Sequence, residues 1–354
     1  MSSKLPFVVA ISAKADATAR ELSGPKTANL GNLRKYGLNV PMGFAVTTAA
    51  FERAIELSGA KNDLLKLEQK SKSVRGQELA KIAEAMQNVT KSVALPEALQ
   101  EDIATFLSDL EANLSKRHLR LAVRSSATGE DAADKSFAGQ YESYLGVCGL
   151  EDLLQAVKDC WASLFGERAL EYRNKASRSF IDSPMAVCVV ELIEARSAGV
   201  AFSVDAVSGK RDRIVIESTW GFGEALVQGL VTPDRYLVDK DEIRLFRQEI
   251  GEKKTISEFD GNAKRVIELQ MPDDMQTTNS LEEAICLDIA ANVLKLEETI
   301  GEPVDVEWVV EEDAKGSNRL VFVQMRPIST LPDDPGVLQW KTDLIGLAWR
   351  EESR

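Results

Sequence analysis

Two short stretches carry the most chemistry for their length. They are Asp305-Val306-Glu307 and Gln324-Met325-Arg326, each with polar groups two residues apart in apolar sequence. At the two-residue period of a β-strand, Asp305 and Glu307 share a face, as do Gln324 and Arg326. Residues 313–318 between the stretches read as a turn, with Gly316 near the middle. A hairpin symmetric about Lys315-Gly316 sets Glu307 across from Gln324 and Asp305 across from Arg326. A carboxylate beside an amide oxygen supplies two hard oxygen ligands. Mg²⁺ is commonly held by one or two such groups together with phosphate oxygens and water. The same residues also read as the solvated face of a sheet laced by an Asp305–Arg326 pair.

Arg124-Ser125-Ser126-Ala127-Thr128-Gly129 follows the apolar run 119–123, read as a strand. An arginine at a strand end can fork two hydrogen bonds to phosphate oxygens, and neighbouring hydroxyls and amides can cradle the anion. It can equally cap a carboxylate. In Ser136-Phe137-Ala138-Gly139-Gln140-Tyr141-Glu142-Ser143, Gly139 could let backbone approach phosphates, as in a lid, or mark an ordinary surface turn. Lys26 precedes a helical stretch whose N-terminal dipole favours anions, although a solvated lysine is the plainer reading. Trp220-Gly221-Phe222-Gly223-Glu224 reads as a tight turn. His118, the one histidine, sits between Arg117 and Leu119 and reads as a structural or surface residue. A Walker-type phosphate loop and a nucleophile elbow are both absent from the sequence.

The elements that must position these groups are mixed. Helices are expected over 27–36, 49–58, 150–176 and 281–300, with several more packed within 62–114. Gly37 ends the first, and Thr47-Thr48 caps the second. Strands are expected at the start of the chain and over 40–46, 119–123, 186–193, 199–204, 213–217 and 235–238. The hairpin 304–310 with 319–325 completes the set. The class is α+β. The divisions expected are a helix-rich part over 1–184, a strand-rich part over 185–331 and a tail over 332–354, with the boundary near Ser183-Pro184.

Composition narrows the options. With 354 residues, 44% hydrophobic and 28% charged, the chain has ample material for two globular cores. A net charge of −13 argues against nucleic acid or an anionic membrane as partner, while leaving room for a locally cationic nucleotide site. The four cysteines form no C-x-x-C pair, which fits a reducing cytoplasm. Leu5 to Ile11 is too short an apolar run for a signal peptide, and no segment reaches the ~20 apolar residues of a membrane span.

Taken in order, these pieces resemble the family of phosphoenolpyruvate synthase and pyruvate phosphate dikinase, which includes rifampicin phosphotransferase. The resemblance rests on Gly24-Pro25-Lys26-Thr27-Ala28-Asn29-Leu30, Val40-Pro41-Met42-Gly43-Phe44-Ala45-Val46-Thr47-Thr48 and Ala122-Val123-Arg124-Ser125-Ser126-Ala127-Thr128. It continues through Ser136-Phe137-Ala138-Gly139-Gln140, Gly221-Phe222-Gly223-Glu224 with Val227-Gln228-Gly229, and Asp305-Val306-Glu307-Trp308 with Gln324-Met325-Arg326-Pro327. The resemblance implies an ATP-grasp fold of two lobes with ATP between them. It implies that Lys26 and Arg124 hold ATP phosphates, that Gly139 and Ser143 close over them, and that Glu307 and Gln324 carry Mg²⁺ with help from Arg326. The strand 186–193 would meet adenine, through Val190 and Glu191. Three positions depart from the family pattern: Pro25 stands for a glycine, Val190 for a glutamine and Ser143 for a threonine.

Members of the family continue into a swivelling domain whose histidine accepts the phosphoryl group. His118 lies within the nucleotide-binding region and is not that histidine, so the resemblance implies a histidine-bearing domain or subunit on another chain. A separate chain of this extent is most similar to the ATP-binding subunit of phenylphosphate synthase, with phenol as final acceptor. A phosphoenolpyruvate synthase or rifampicin phosphotransferase domain is the alternative, and an ATP-sensing regulatory module is an alternative of another class.

Overall fold

The computed structural model describes residues 5–14, 18–128, 141–205, 207–227, 229–261, 263, 265–313, 315–328 and 331. The class is α+β, and the chain forms two compact units: Met1–Leu192 with Phe259–Arg265, and Ile193–Glu258 with Val266–Arg354. Among the described residues no helix is long and apolar enough to cross a membrane.

The first unit is built on an antiparallel sheet of β1 (Val8–Ala10), β2 (Gly43–Val46), β3 (Arg120–Ala127), β4 (Ser143–Cys148) and β5 (Met185–Glu191), in the order β1-β2-β5-β3-β4. Its helices are α1 (Arg20–Lys35), α2 (Thr48–Leu57), α3 (Ala60–Ser71), α4 (Gln77–Lys91), α5 (Glu97–Leu114), α6 (Leu150–Ser163) and α7 (Glu167–Lys175). Strand alternation sorts the sheet's side chains by face. Phe44, Val46, Leu121, Val123, Met185, Val187 and Val189 point into the main core, with apolar stripes such as Leu79-Ala83-Met86 of α4 and Leu99-Ile103-Leu107-Leu110 of α5. The opposite face carries Ala45, Ala122, Arg124, Cys188 and Val190, and α1 packs against β3 and β5. Thr47 caps α2 as expected, its side chain accepting from the Ala50 amide.

Two expectations shift here. β3 runs on through Ala127, so Arg124-Ser125-Ser126-Ala127 is strand and not the start of a loop. The apolar pattern ends at Val123, but Ser125 and Ser126 are wholly buried and pair with Val187 and Ala186 of β5. The division of the chain falls after Leu192, and β5 is the middle strand of the first sheet. The change from helical to strand pattern near Ser183-Pro184 marks a change of element, not the point where the chain leaves the first unit. The tail 332–354 lies outside the described residues.

The second unit holds an antiparallel sheet of β6 (Ser197–Phe202), β7 (Arg213–Trp220), β8 (Asp234–Asp239), β9 (Arg244–Glu249), β12 (Val304–Glu312) and β13 (Asn318–Pro327), in the order β13-β12-β6-β7-β8-β9. Strands β10 (Thr255–Asp260) and β11 (Arg265–Gln270) form a separate pair, and the short α8 (Glu224–Val227) precedes β8. Helix α9 (Glu283–Ile300) buries Cys286, Ile289, Ala290, Val293 and Leu296, and packs on the sheet face that carries Val304, Val306, Trp308 and Val310. Gly199 makes room for Trp308, whose ring would stand 2.6 Å from a Cβ at that position. Strands β9, β10 and β11 were not expected, because their charged sequences, largely exposed in β9 and β11, show no apolar alternation.

Candidate functional site

In the first unit the site begins with a backbone break. Gly24 interrupts α1 at φ +74°, a conformation that favours glycine, and a Cβ there would lie 2.3 Å from Ser126 Oγ and 2.4 Å from Ser126 O. The chain therefore passes against β3 as it turns. Pro25 follows, and the Lys26 amide donates to Ser126 Oγ at 3.0 Å while Lys26 Nζ donates to the Ser125 carbonyl at 2.7 Å. The Gly24–Lys26 corner and the Arg124–Ser126 stretch are thus one construction. Nothing in the linear sequence paired them.

Arg124 stands between Ser143 of β4 and Cys188 of β5. Burial pushes the Cys188 thiol up, while the Thr27 hydroxyl and then the charges of Arg124 and Lys26 pull it back. Burial likewise raises the Cys160 thiol, with Lys26 the leading opposing influence. Lys26 and Arg124 therefore act on one locality, a cationic patch on the α1 side of the sheet. Ser143, opposite Arg124, is exposed. Gly139 lies outside the described residues.

One row from Arg124, Ala122, Val190 and Gly43 lie side by side across β3, β5 and β2. They form a small apolar floor. A Cβ on Gly43 would meet the Val189 carbonyl at 2.1 Å, so the glycine is required by strand packing. Glu191 is buried, its carboxylate accepting from the Met42 amide at 3.1 Å and its own amide donating to Met42 O at 2.9 Å. Part of its hydrogen-bonding capacity thus fixes the approach to β2.

In the second unit the final hairpin has the expected pairs: Glu307 opposite Gln324 and Asp305 opposite Arg326. All four lie on the face away from α9, across from Val200 and Phe202 of β6. Gln324 is buried, and Asp305, Glu307 and Arg326 are half-buried. Asp305 Oδ1 is buried with no hydrogen-bond partner, and its carboxyl is pushed up to about 6 by burial and by Glu307, against the opposing pull of Arg326. Two carboxylates held this close, one with an unsatisfied buried oxygen, suit a hard divalent cation. Among the described residues no cluster of three His, Cys, Asp or Glu side chains could hold a metal alone. Any cation here would need the Gln324 amide, phosphate oxygens or water to complete its shell.

These features meet a clear relationship with known proteins. The pattern described as "Pyruvate phosphate dikinase, AMP/ATP-binding domain" matches residues 20–341, and the chain belongs to that family. It is an ATP-binding domain of the dikinase type. It is 34% identical over 310 residues to a probable phosphoenolpyruvate synthase of Methanothermobacter thermautotrophicus, covering 88% of this chain and 44% of that protein. It is 33% identical over 330 residues to the phosphoenolpyruvate synthase of Aeropyrum pernix, covering 86% and 40%. It is 36% identical over 321 residues to the rifampicin phosphotransferase of Bacillus cereus, covering 89% and 35%. The chain thus spans less than half the length of these relatives.

Proposed function

We propose that the chain binds Mg·ATP in an ATP-grasp fold of two lobes, with ATP between the lobes, and delivers a phosphoryl or pyrophosphoryl group to a histidine borne by another domain or subunit. The observation that carries this reading is the pairing of Glu307 with Gln324 on a face shared with Asp305 and Arg326, in a chain whose other unit clasps Lys26 against the Arg124 strand. Lys26 and Arg124 hold phosphate oxygens and Ser143 adds a hydroxyl donor. Val190 and its small neighbours support the adenine, and Glu191 fixes the strand that presents them. Glu307 and Gln324 hold Mg²⁺, Asp305 stands beside them and Arg326 balances the charge. The metal would neutralise charge on the phosphates. The protein's own part in the transfer is positioning and electrostatic stabilisation, without a nucleophile of its own.

On the dikinase route the β,γ-pyrophosphoryl group of ATP passes to the histidine and AMP leaves, water takes the γ-phosphoryl as phosphate, and the histidine passes the remaining β-phosphoryl to a final acceptor. Phenol is the acceptor in the phenylphosphate synthase reading. Four free cysteines suit a cytoplasmic setting. The test is a single-turnover assay with γ- and β-labelled ATP and a candidate histidine-bearing partner. Label should reach the partner with the wild-type chain and fail to do so with Arg124→Ala. Transfer that survives Arg124→Ala unchanged removes the phosphate-holding role.

A further inference from the structure

The row that holds Gln324 and Glu307 does not end with them. Cross-strand register continues it through Val200 of β6 and Glu217 of β7 to Arg235 of β8. Directly opposed residues share a face, so Glu217 lies on the face of Glu307, two strands away, with valine between them. At the usual strand spacing that is about 10 Å. This is the order of length of a nucleotide's triphosphate arm.

The ordinary fate of a carboxylate opposite an arginine is an ion pair. Here Arg235 turns instead to Asp205, its Nη2 lying 3.4 Å from Oδ1. Among the described residues the half-buried Glu217 carboxylate has no hydrogen bond or ion pair. Two residues further along the same strand and face, Thr219 is wholly buried and its Oγ1 also lacks a partner. A carboxylate with no partner among the described residues, open on the face of Glu307 and beside a buried hydroxyl that also lacks one, suits a ligand with hydroxyl donors.

We propose that Glu217 receives the ribose of the nucleotide, its carboxylate accepting hydrogen bonds from the vicinal hydroxyls while Glu307 and Gln324 hold the metal-bound end of the triphosphate. The proposal rests on the ATP reading above and adds sugar selectivity to it. A hydroxyl donating to a carboxylate is a charge-assisted bond, and its loss costs roughly ten- to a hundredfold in affinity.

The experiment is calorimetric titration of the full chain with Mg·ATP, Mg·2′-deoxyATP and Mg·3′-deoxyATP. Wild type should prefer ATP over both deoxy analogues by roughly ten- to a hundredfold. Glu217→Ala should bind all three alike, with its affinity for the deoxy analogues near that of wild type. Should that variant not fold, the isosteric Glu217→Gln should narrow the preference. The proposal is overturned if wild type shows no preference, or if the folded variant keeps it in full. Equal loss of all three nucleotides with loss of Mg²⁺ dependence would make Glu217 a metal-site residue and overturn it too. Glu307→Ala tests the underlying reading separately: it should weaken all three nucleotides together and leave the sugar preference unchanged.

Discussion

Glu307 faces Gln324 because of a β-bulge that falls immediately beside them, between Glu307 and Trp308. Toward the turn, Trp308 pairs with Phe322 and Glu312 with Asn318. Carried on unbroken, that register would set Val323 across from Glu307 and Met325 across from Asp305. The bulge adds one residue to β13 and brings Gln324 and Arg326 to the face of the two carboxylates. Bulges recur beside functional sites, where they re-aim side chains at the expense of a local break in the ladder.

Gly24 forms the corner that presents Lys26 in the first unit. Gly24→Ala would place a methyl group 2.3–2.4 Å from Ser126 at φ +74°. It should cost about 1–3 kcal/mol of stability and shift Lys26, lowering ATP affinity. Adding Ser126→Gly removes the side-chain clash but not the carbonyl contact, so rescue should be partial. Thermal melts and ATP titration of the single and double variants check this. Wild-type affinity in Gly24→Ala would show that the corner does not position Lys26.

Much of this was legible in the sequence, for local reasons. Thr47 announced its cap, and alternation in 304–310 announced the hairpin's two faces. The symmetric fold expected about Lys315-Gly316 gave the right pairs at the hairpin's base, although the turn-end register is one residue different and the bulge makes up the offset. Two relationships were hidden because they are non-local. Lys26 meets Ser125 about a hundred residues away, and Glu217 joins the Glu307 row only through the order of strands. The exposed, charged β9 gave no period to read.

Lys253 and Asp234 form a wholly buried ion pair in the second unit. Asp234 also accepts from the Gly251 amide at 3.0 Å and from the Ser280 amide and hydroxyl, both at 2.7 Å. Lys253→Met leaves a buried carboxylate without its cation. Such losses cost about 3–5 kcal/mol, and urea unfolding should show a drop of that order. A change within about 0.5 kcal/mol would mean the remaining donors suffice.

Glu224 offers a pH test. Burial, reinforced by Glu268, raises its carboxyl. A carboxyl raised in the folded state holds its proton where the unfolded chain has lost it. Stability therefore falls as pH climbs from the unfolded value through the folded one. Glu224→Gln removes that penalty. The variant should melt above wild type at pH 8 and converge with it near pH 4. A difference independent of pH would assign the effect to packing.

The central claim is that Glu307 and Gln324 hold a metal with ATP, and calorimetry tests it most directly. ATP is titrated into the full chain with and without Mg²⁺, in wild type, Glu307→Ala and Gln324→Ala. The account predicts that Mg²⁺ strengthens ATP binding to wild type by at least about tenfold, equivalent to 1.4 kcal/mol, and that both substitutions abolish most of that gain without loss of fold. Equal ATP affinity with and without Mg²⁺ in wild type and in Glu307→Ala would contradict it.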